Sequence, residues 1–271
     1  MRILQTCVVV LFLAVTVIFG YCWITEQQKD TTLPVITVEG DTLDVSLTAD
    51  NAELLQGVTA FDEKDGDITD RIIVESISRF TEPGVAIVTY AVCDSDRHVA
   101  SASRTIRYIG YEAPHFTMRK SLIFSPSERV LISGRLGAWD VLDGDISSRV
   151  IVTATDYADN TSGLFHISVR ATSLKGDTIT ATLPLYVENV SPAAPDIRLR
   201  EYMIYLNTGD EYDPASNLID AIAYNEDDLT ASVEIESDLD TSTPGVYQAH
   251  YYATDDQDRR AHEILTILVE G

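Results

Sequence analysis

The chain has very little cysteine. Of three cysteines in 271 residues, Cys7 and Cys22 lie in an apolar N-terminal run and Cys93 stands alone in the remainder. This excludes a disulfide scaffold, so whatever folds here must rest on its hydrophobic cores. Basic residues are also few, with Lys plus Arg at 19 against Asp plus Glu at 43 and a formal net charge of -24. A nucleic-acid partner is excluded on charge, because the phosphate backbone would be repelled. The shortage deepens toward the end: from residue 196 onward there is no lysine, and four arginines face 18 acidic residues.

Catalytic signatures are missing as well. The five histidines, His98, His115, His166, His250 and His262, are dispersed, and none is four residues from another as a zinc-binding helix requires. There is no nucleophile elbow, phosphate loop or cysteine pair. Small sandwiches with acidic turns offer no deep cleft in which to raise one carboxyl pKa, so the sequence reads as a non-enzyme. No stretch of about 12 residues shows the 3.6 period of an amphipathic helix; residues 51–58 have room for one helical turn.

One long apolar run is present. Ile3 to Thr25 carries no ionisable group other than the cysteine thiols and Tyr21, which is enough length to span a bilayer core of about 20 helical residues. Arg2 precedes it, and Tyr21 and Trp23 stand where an aromatic belt would lie, predicting a single-pass anchor with everything after Glu26 outside the cell. A cleaved signal peptide and a lipoprotein with Cys22 as its first residue are the alternatives. The bulky Tyr21 directly before Cys22 fits both poorly. All three readings export the rest of the chain.

Beyond residue 33 the chain repeats. The block from Phe61 to Ile72, with Asp62, Asp65, Gly66 and Asp67, recurs from Trp139 to Val150 with Asp140, Asp143, Gly144 and Asp145. A worn copy runs from Ala223 to Thr230. A second motif follows each at a similar distance: Gly84 to Asp94, Gly163 to Ser173 and Gly245 to Asp255. Pro34, Pro114 and Pro195 open the copies, as suits first or edge strands that need no amide there. Within each copy the apolar period is two, as in Ala86, Val88, Tyr90 and Val92, which places one face on a core and the other toward solvent. The chain therefore divides into an anchor or signal segment at 1–25, a polar spacer at 26–33, and modules at 34–110, 111–190 and 191–271. The expected fold is all-β: three tandem β-sandwich modules after an N-terminal transmembrane helix.

With those motifs in view, the modules resemble a bacterial immunoglobulin-like domain repeated in cell-surface proteins and in some pesticidal crystal proteins. Ala60 to Thr69 and Gly84 to Asp94 carry the pattern in the first copy, with Ala86 in place of its tyrosine. Ala138 to Ser147 carry it in the second, where Phe165 replaces the tyrosine, and Gly245 to Tyr247 with Ala253 to Asp255 carry it in the third. The resemblance implies an adhesive, spacer or recognition module without catalysis.

Two sets of residues are candidates for binding. Asp62, Asp65 and Asp67, with Asp140, Asp143 and Asp145, have the spacing to converge on Ca²⁺. Asp-Gly-Asp is equally a turn in which glycine takes positive φ and the aspartates cap nearby amides, and that reading is preferred. No other cofactor is implied. Tyrosines crowd the third module; Tyr247 and Tyr251 share the inward phase, Tyr252 points outward, and Tyr212 and Tyr224 fall in loops. Tyr252, Tyr212 and Tyr224 are the expected contacts to a partner, a cell-surface or cell-wall protein or glycan. A structural spacer or accessory subunit of an envelope complex, and a carbohydrate-binding module, are the rival functions.

Overall fold

The computed structural model describes residues 2–27, 31–158 and 161–271, and within the N-terminal helix its side chains from residue 10 to residue 23. The side chain of Cys7 and residues 28–30 of the expected spacer are not described. The fold divides into two compact units, Met1–Gly110 and Tyr111–Gly271.

The first unit opens with helix α1, Arg2–Gln27. Among its described side chains the large apolar ones are exposed: Phe12 is 66% exposed, Phe19 71% and Trp23 61%. Among the described residues no helix is long and apolar enough to cross a membrane. The transmembrane assignment is thus unsupported by the described fold.

A sandwich follows. Strands β1 (Val35–Val38), β3 (Val58–Asp62) and β4 (Gly66–Asp67) form one sheet; β2 (Thr42–Val45), β5 (Ile73–Ile77), β6 (Val85–Cys93) and β7 (Val99–Tyr108) form the other, in the order β2-β7-β6-β5. β2 runs parallel to β7. The alternation in β6 does what its sequence implies: Ala86, Val88, Tyr90 and Val92 are buried. Tyr90 also has a polar end to satisfy. Its hydroxyl donates to the Leu54 carbonyl at 2.7 Å, at the end of the one-turn helix α2 (Asn51–Leu54), and accepts from Arg104 Nε at 2.8 Å. Arg104, 5% exposed, directs Nη2 to the carbonyls of Leu54 and Gln56 and Nη1 to that of Glu39. A buried cation is tolerated because it satisfies the carbonyls that a helix end leaves open.

The second unit holds two more sandwiches on the same plan. In the first of them, β8 (His115–Met118), β10 (Leu136–Asp140) and β11 (Gly144–Asp145) face β9 (Ile123–Phe124), β12 (Ile151–Thr155), β13 (Gly163–Thr172) and β14 (Thr178–Val187), in the order β12-β13-β14-β9. In the other, β15 (Asp196–Leu199) and β17 (Leu218–Ile222) face β16 (Met203–Asn207), β18 (Glu234–Ser237), β19 (Gly245–Thr254) and β20 (Arg260–Glu270), in the order β16-β20-β19-β18. The short third strand shrinks in the last sandwich to one bridge between Ile222 and Asp228. Tyr251 occupies the place of Tyr90, fully buried, with its hydroxyl on the Pro214 carbonyl at 2.7 Å.

Those two sandwiches share a core. Met203 is buried in the cluster that contains Phe116, Leu122, Phe124 and Leu185, and Tyr202, Tyr205 and Leu268 pack against it. Tyr205 clamps the joint: its hydroxyl accepts from the Phe116 amide at 2.8 Å and donates to the Phe116 carbonyl at 3.2 Å. Burial pushes its phenol pKa up to about 12. The sequence repeat marks three modules, whereas side-chain packing unites the last two.

Candidate functional site

The acidic turns are held by their own carboxylates. Asp62 Oδ1 accepts from the amides of Lys64 and Asp65 at 3.0 and 2.9 Å, and Asp140 Oδ1 does the same for Leu142 and Asp143 at 2.9 and 2.8 Å. Asp67, Asp145 and Asp228 each accept from the amide two residues on at 2.9 Å. The hydroxyls of Thr69, Ser147 and Thr230 then meet the amides of Ala60, Ala138 and Ala221. Gly66 and Gly144 supply the positive φ, +75° and +72°. Even the worn third copy keeps this frame, moving the positive φ to Glu226 at +71°.

Asp65 turns away from Asp62 to take the amide and hydroxyl of Ser95 at 2.8 and 2.7 Å and the Arg71 guanidinium at 2.7 Å. Those hydrogen bonds, the Ser95 hydroxyl first, hold its carboxyl below the usual range. Asp143 likewise accepts from the Leu174 amide. The turns therefore bring Asp62 with Asp65, and Asp140 with Asp143, onto backbone amides rather than onto a common point. Among the described residues no group of three or more His, Cys, Asp or Glu side chains is arranged to hold a metal ion. One oxygen is left over: Asp62 Oδ2 is buried without a hydrogen-bond partner. Its counterpart, Asp140 Oδ2, is met by the Tyr111 hydroxyl at 3.5 Å, which also donates to Asp177 at 2.8 Å.

Of the three tyrosines expected to meet a partner, only Tyr224 stands clear, 72% exposed with the Arg259 guanidinium 5.8 Å from its ring centre. Tyr212 packs on the core of the third sandwich. Tyr252 does face outward, but its ring is engaged: His262 stacks on it at 4.5 Å and the Arg260 guanidinium lies 3.9 Å from the centroid.

That outward face carries a cluster hidden from linear spacing. Pairing of β19 with β20 sets Tyr252 opposite His262, and brings His250 Nδ1 to 2.9 Å from His262 Nε2. His262 Nδ1 lies 2.8 Å from Glu188, at the end of the second sandwich, and Tyr186 meets both imidazoles edge-on. Burial first, and the neighbouring His262 second, hold the His250 pKa below its usual value. Beside this cluster Glu263 touches the Ser121 hydroxyl across the same joint, and burial pushes its carboxyl up to about 7. The sequence signal was the hairpin register: counting back from the Asp255–Arg259 turn pairs the two histidine-bearing strands.

A groove of about 620 Å³ opens on the second sandwich, lined by Arg129, Val130, Ile132, Val152, Thr155 and Tyr157 among others. It runs beside β12, an outer strand of its sheet, all five of whose residues are exposed. Nothing in the residue pattern marked it, because the groove is made by a loop and an edge strand from distant parts of the repeat.

Comparison with known proteins bears on the fold and its family. The chain is 26% identical over 141 residues to the pesticidal crystal protein Cry22Aa of Bacillus thuringiensis, covering 50% of this chain and 19% of that protein. It is 33% identical over 54 residues to an uncharacterized 81.3 kDa protein of Acholeplasma phage L2, covering 20% and 7%. It thus spans less than a fifth of the length of these curated relatives. Among solved structures, Drosophila N-cadherin EC1-3 matches at 12% identity with a TM-score of 0.31, covering 90% of this chain and 91% of that one. CBM51-2 with INT domains from Clostridium perfringens ZmpB, in complex with GlcNAc, matches at 21% identity with a TM-score of 0.23, covering 54% and 26%. Likenesses of that size carry no functional reading. Residues 200–269 match the family described as bacterial surface protein, Ig-like domain, which agrees with the resemblance carried by the repeated motifs.

Proposed function

We propose that the chain is a non-catalytic surface protein, tethered to the membrane through α1, whose immunoglobulin-like modules recognise a ligand outside the cell. The observation that carries the recognition part is the groove on the second sandwich: a concave, half-apolar surface on a compact two-sandwich unit. For the tether this reading draws on Phe12, Leu13, Val17, Ile18 and Phe19 of α1, all of which are exposed. A bacterial surface Ig-like domain in the last module supports the external location.

The test uses the full chain expressed in a bacterial host. Carbonate extraction should leave it in the membrane fraction, and protease added to intact cells should remove everything beyond residue 31. A chain released by carbonate and protected from protease sinks the reading. Detergent-purified chain should then bind a protein, peptide or glycan array; a chain that binds none, but leaves the cell with one stoichiometric membrane partner, is a spacer or accessory subunit.

Calcium is a second reading at the first acidic turn, favoured by the unpartnered buried oxygen of Asp62. Carbonyl oxygens and water would have to complete the coordination. Millimolar Ca²⁺ should raise the thermal midpoint of the chain, and Asp62→Asn should abolish the rise; an unchanged midpoint ends this reading.

A further inference from the structure

We propose that the free edge of β12 takes up an extended peptide carrying an acidic residue, which adds as a fifth strand while its alternate side chains enter the neighbouring groove. This rests on the recognition reading above and names the ligand class and the place.

An outer strand presents backbone amides and carbonyls that have no strand beside them, and proteins normally guard such edges with charge or proline. The equivalent outer strands are guarded: β5 contains Glu75, and β18 contains Glu234 and Glu236. β12 reads Ile-Val-Thr-Ala-Thr, with neither charge nor proline; like β5 it has a register irregularity, here between Val152 and Ala154, so it is charge that separates the two edges. Ile151 and Val152 are 47% and 46% exposed, so the edge is apolar as well as open. Partners that add a strand gain main-chain hydrogen bonds from such an edge and specificity from pockets for every second side chain. The groove supplies those pockets, because Val130, Ile132 and Tyr157 lie beside Val152 and Thr155 along the strand.

Charge selects the occupant. Arg129 stands exposed on the groove wall, with no ion pair or hydrogen bond to a described residue, in a chain whose net charge is -24. Its neighbour Glu128 is committed to Arg135 at 3.1 Å. An unpaired guanidinium on an apolar groove suits a carboxylate on the incoming strand.

The probe is a phage-displayed library of random linear peptides panned on the full chain in detergent, with a recovered peptide then synthesised. The peptide should be rich in β-branched residues with at least one Asp or Glu. Its affinity should fall tenfold or more in Val152→Lys and in Arg129→Glu, and when its alternate amides are N-methylated. Ile151→Lys is the second edge variant should Val152→Lys lower the thermal midpoint. Failure to recover any peptide, binding indifferent to these changes, or a dimer of the chain that Val152→Lys dissolves would each overturn the proposal. A chain that binds glycans yet fails every peptide arm overturns strand addition and leaves the surface reading standing.

Discussion

Asp140 shows what the repeated acidic block does at the level of one residue. It is 1% exposed, and one of its oxygens holds two amides of the turn while the other meets the Tyr111 hydroxyl. Replacing it by alanine strands those amides, and Asp140→Ala should cost about 1–3 kcal/mol in chemical denaturation. Gly144 sits at a φ of +72°, where a Cβ is strained whatever space surrounds it, so Gly144→Ala should cost about 1 kcal/mol. Ala223 stands where Asp62 and Asp140 stand in the other copies, and the third turn is capped instead by Asn225, which accepts from the Asp227 amide at 3.4 Å. Asn225→Ala should therefore weaken that turn less than Asp140→Ala weakens its own, as paired denaturation curves would show.

At the scale of elements, the sandwiches were legible in the sequence because their information is local. A period of two in Ala86 to Val92, glycines at the turns and prolines at first strands each speak through neighbours only, and the strands fall where those signals put them. Two things were not local. The period of two separates inward Tyr251 from outward Tyr252, yet it does not tell that Tyr252 is stacked on His262 while Tyr224 stays exposed, because that difference is made by residues on other strands. The joint between the last two sandwiches depends on Tyr205 reaching Phe116, 89 positions away. Tyr205→Ala should open that joint: thermal unfolding of the wild-type unit as one transition should split into two in the variant, monitored by calorimetry. A variant that still unfolds as one refutes the shared core.

For the whole molecule, pH acts on that joint from two sides. His250 has a depressed pKa in the folded chain, so its contribution to stability is present above the unfolded value near 6.5 and is lost as pH falls. Glu263 is raised from 4.5 to about 7, so its contribution is fully present below 4.5 and is lost as pH rises through 7. The two oppose each other between pH 5 and 7. The thermal midpoint of Glu263→Gln should therefore fall on acidification more steeply than that of the wild type, whereas the midpoint of His250→Gln should rise. Identical slopes in all three proteins would remove both groups from the balance.

Each sandwich also pairs an early strand parallel to its last one: β2 with β7, β9 with β14 and β16 with β20. Tension applied through the two ends of such a module pulls those strands along their length, so their hydrogen bonds bear load together in shear rather than one after another as in a zipper. The first and third clamps span four and five register pairs, the second only two. A chain anchored at one end and gripped at the other would thus yield first in the middle sandwich, the module that carries the groove. Drag on a bound partner would then be felt as loss of grip before the chain itself gave way.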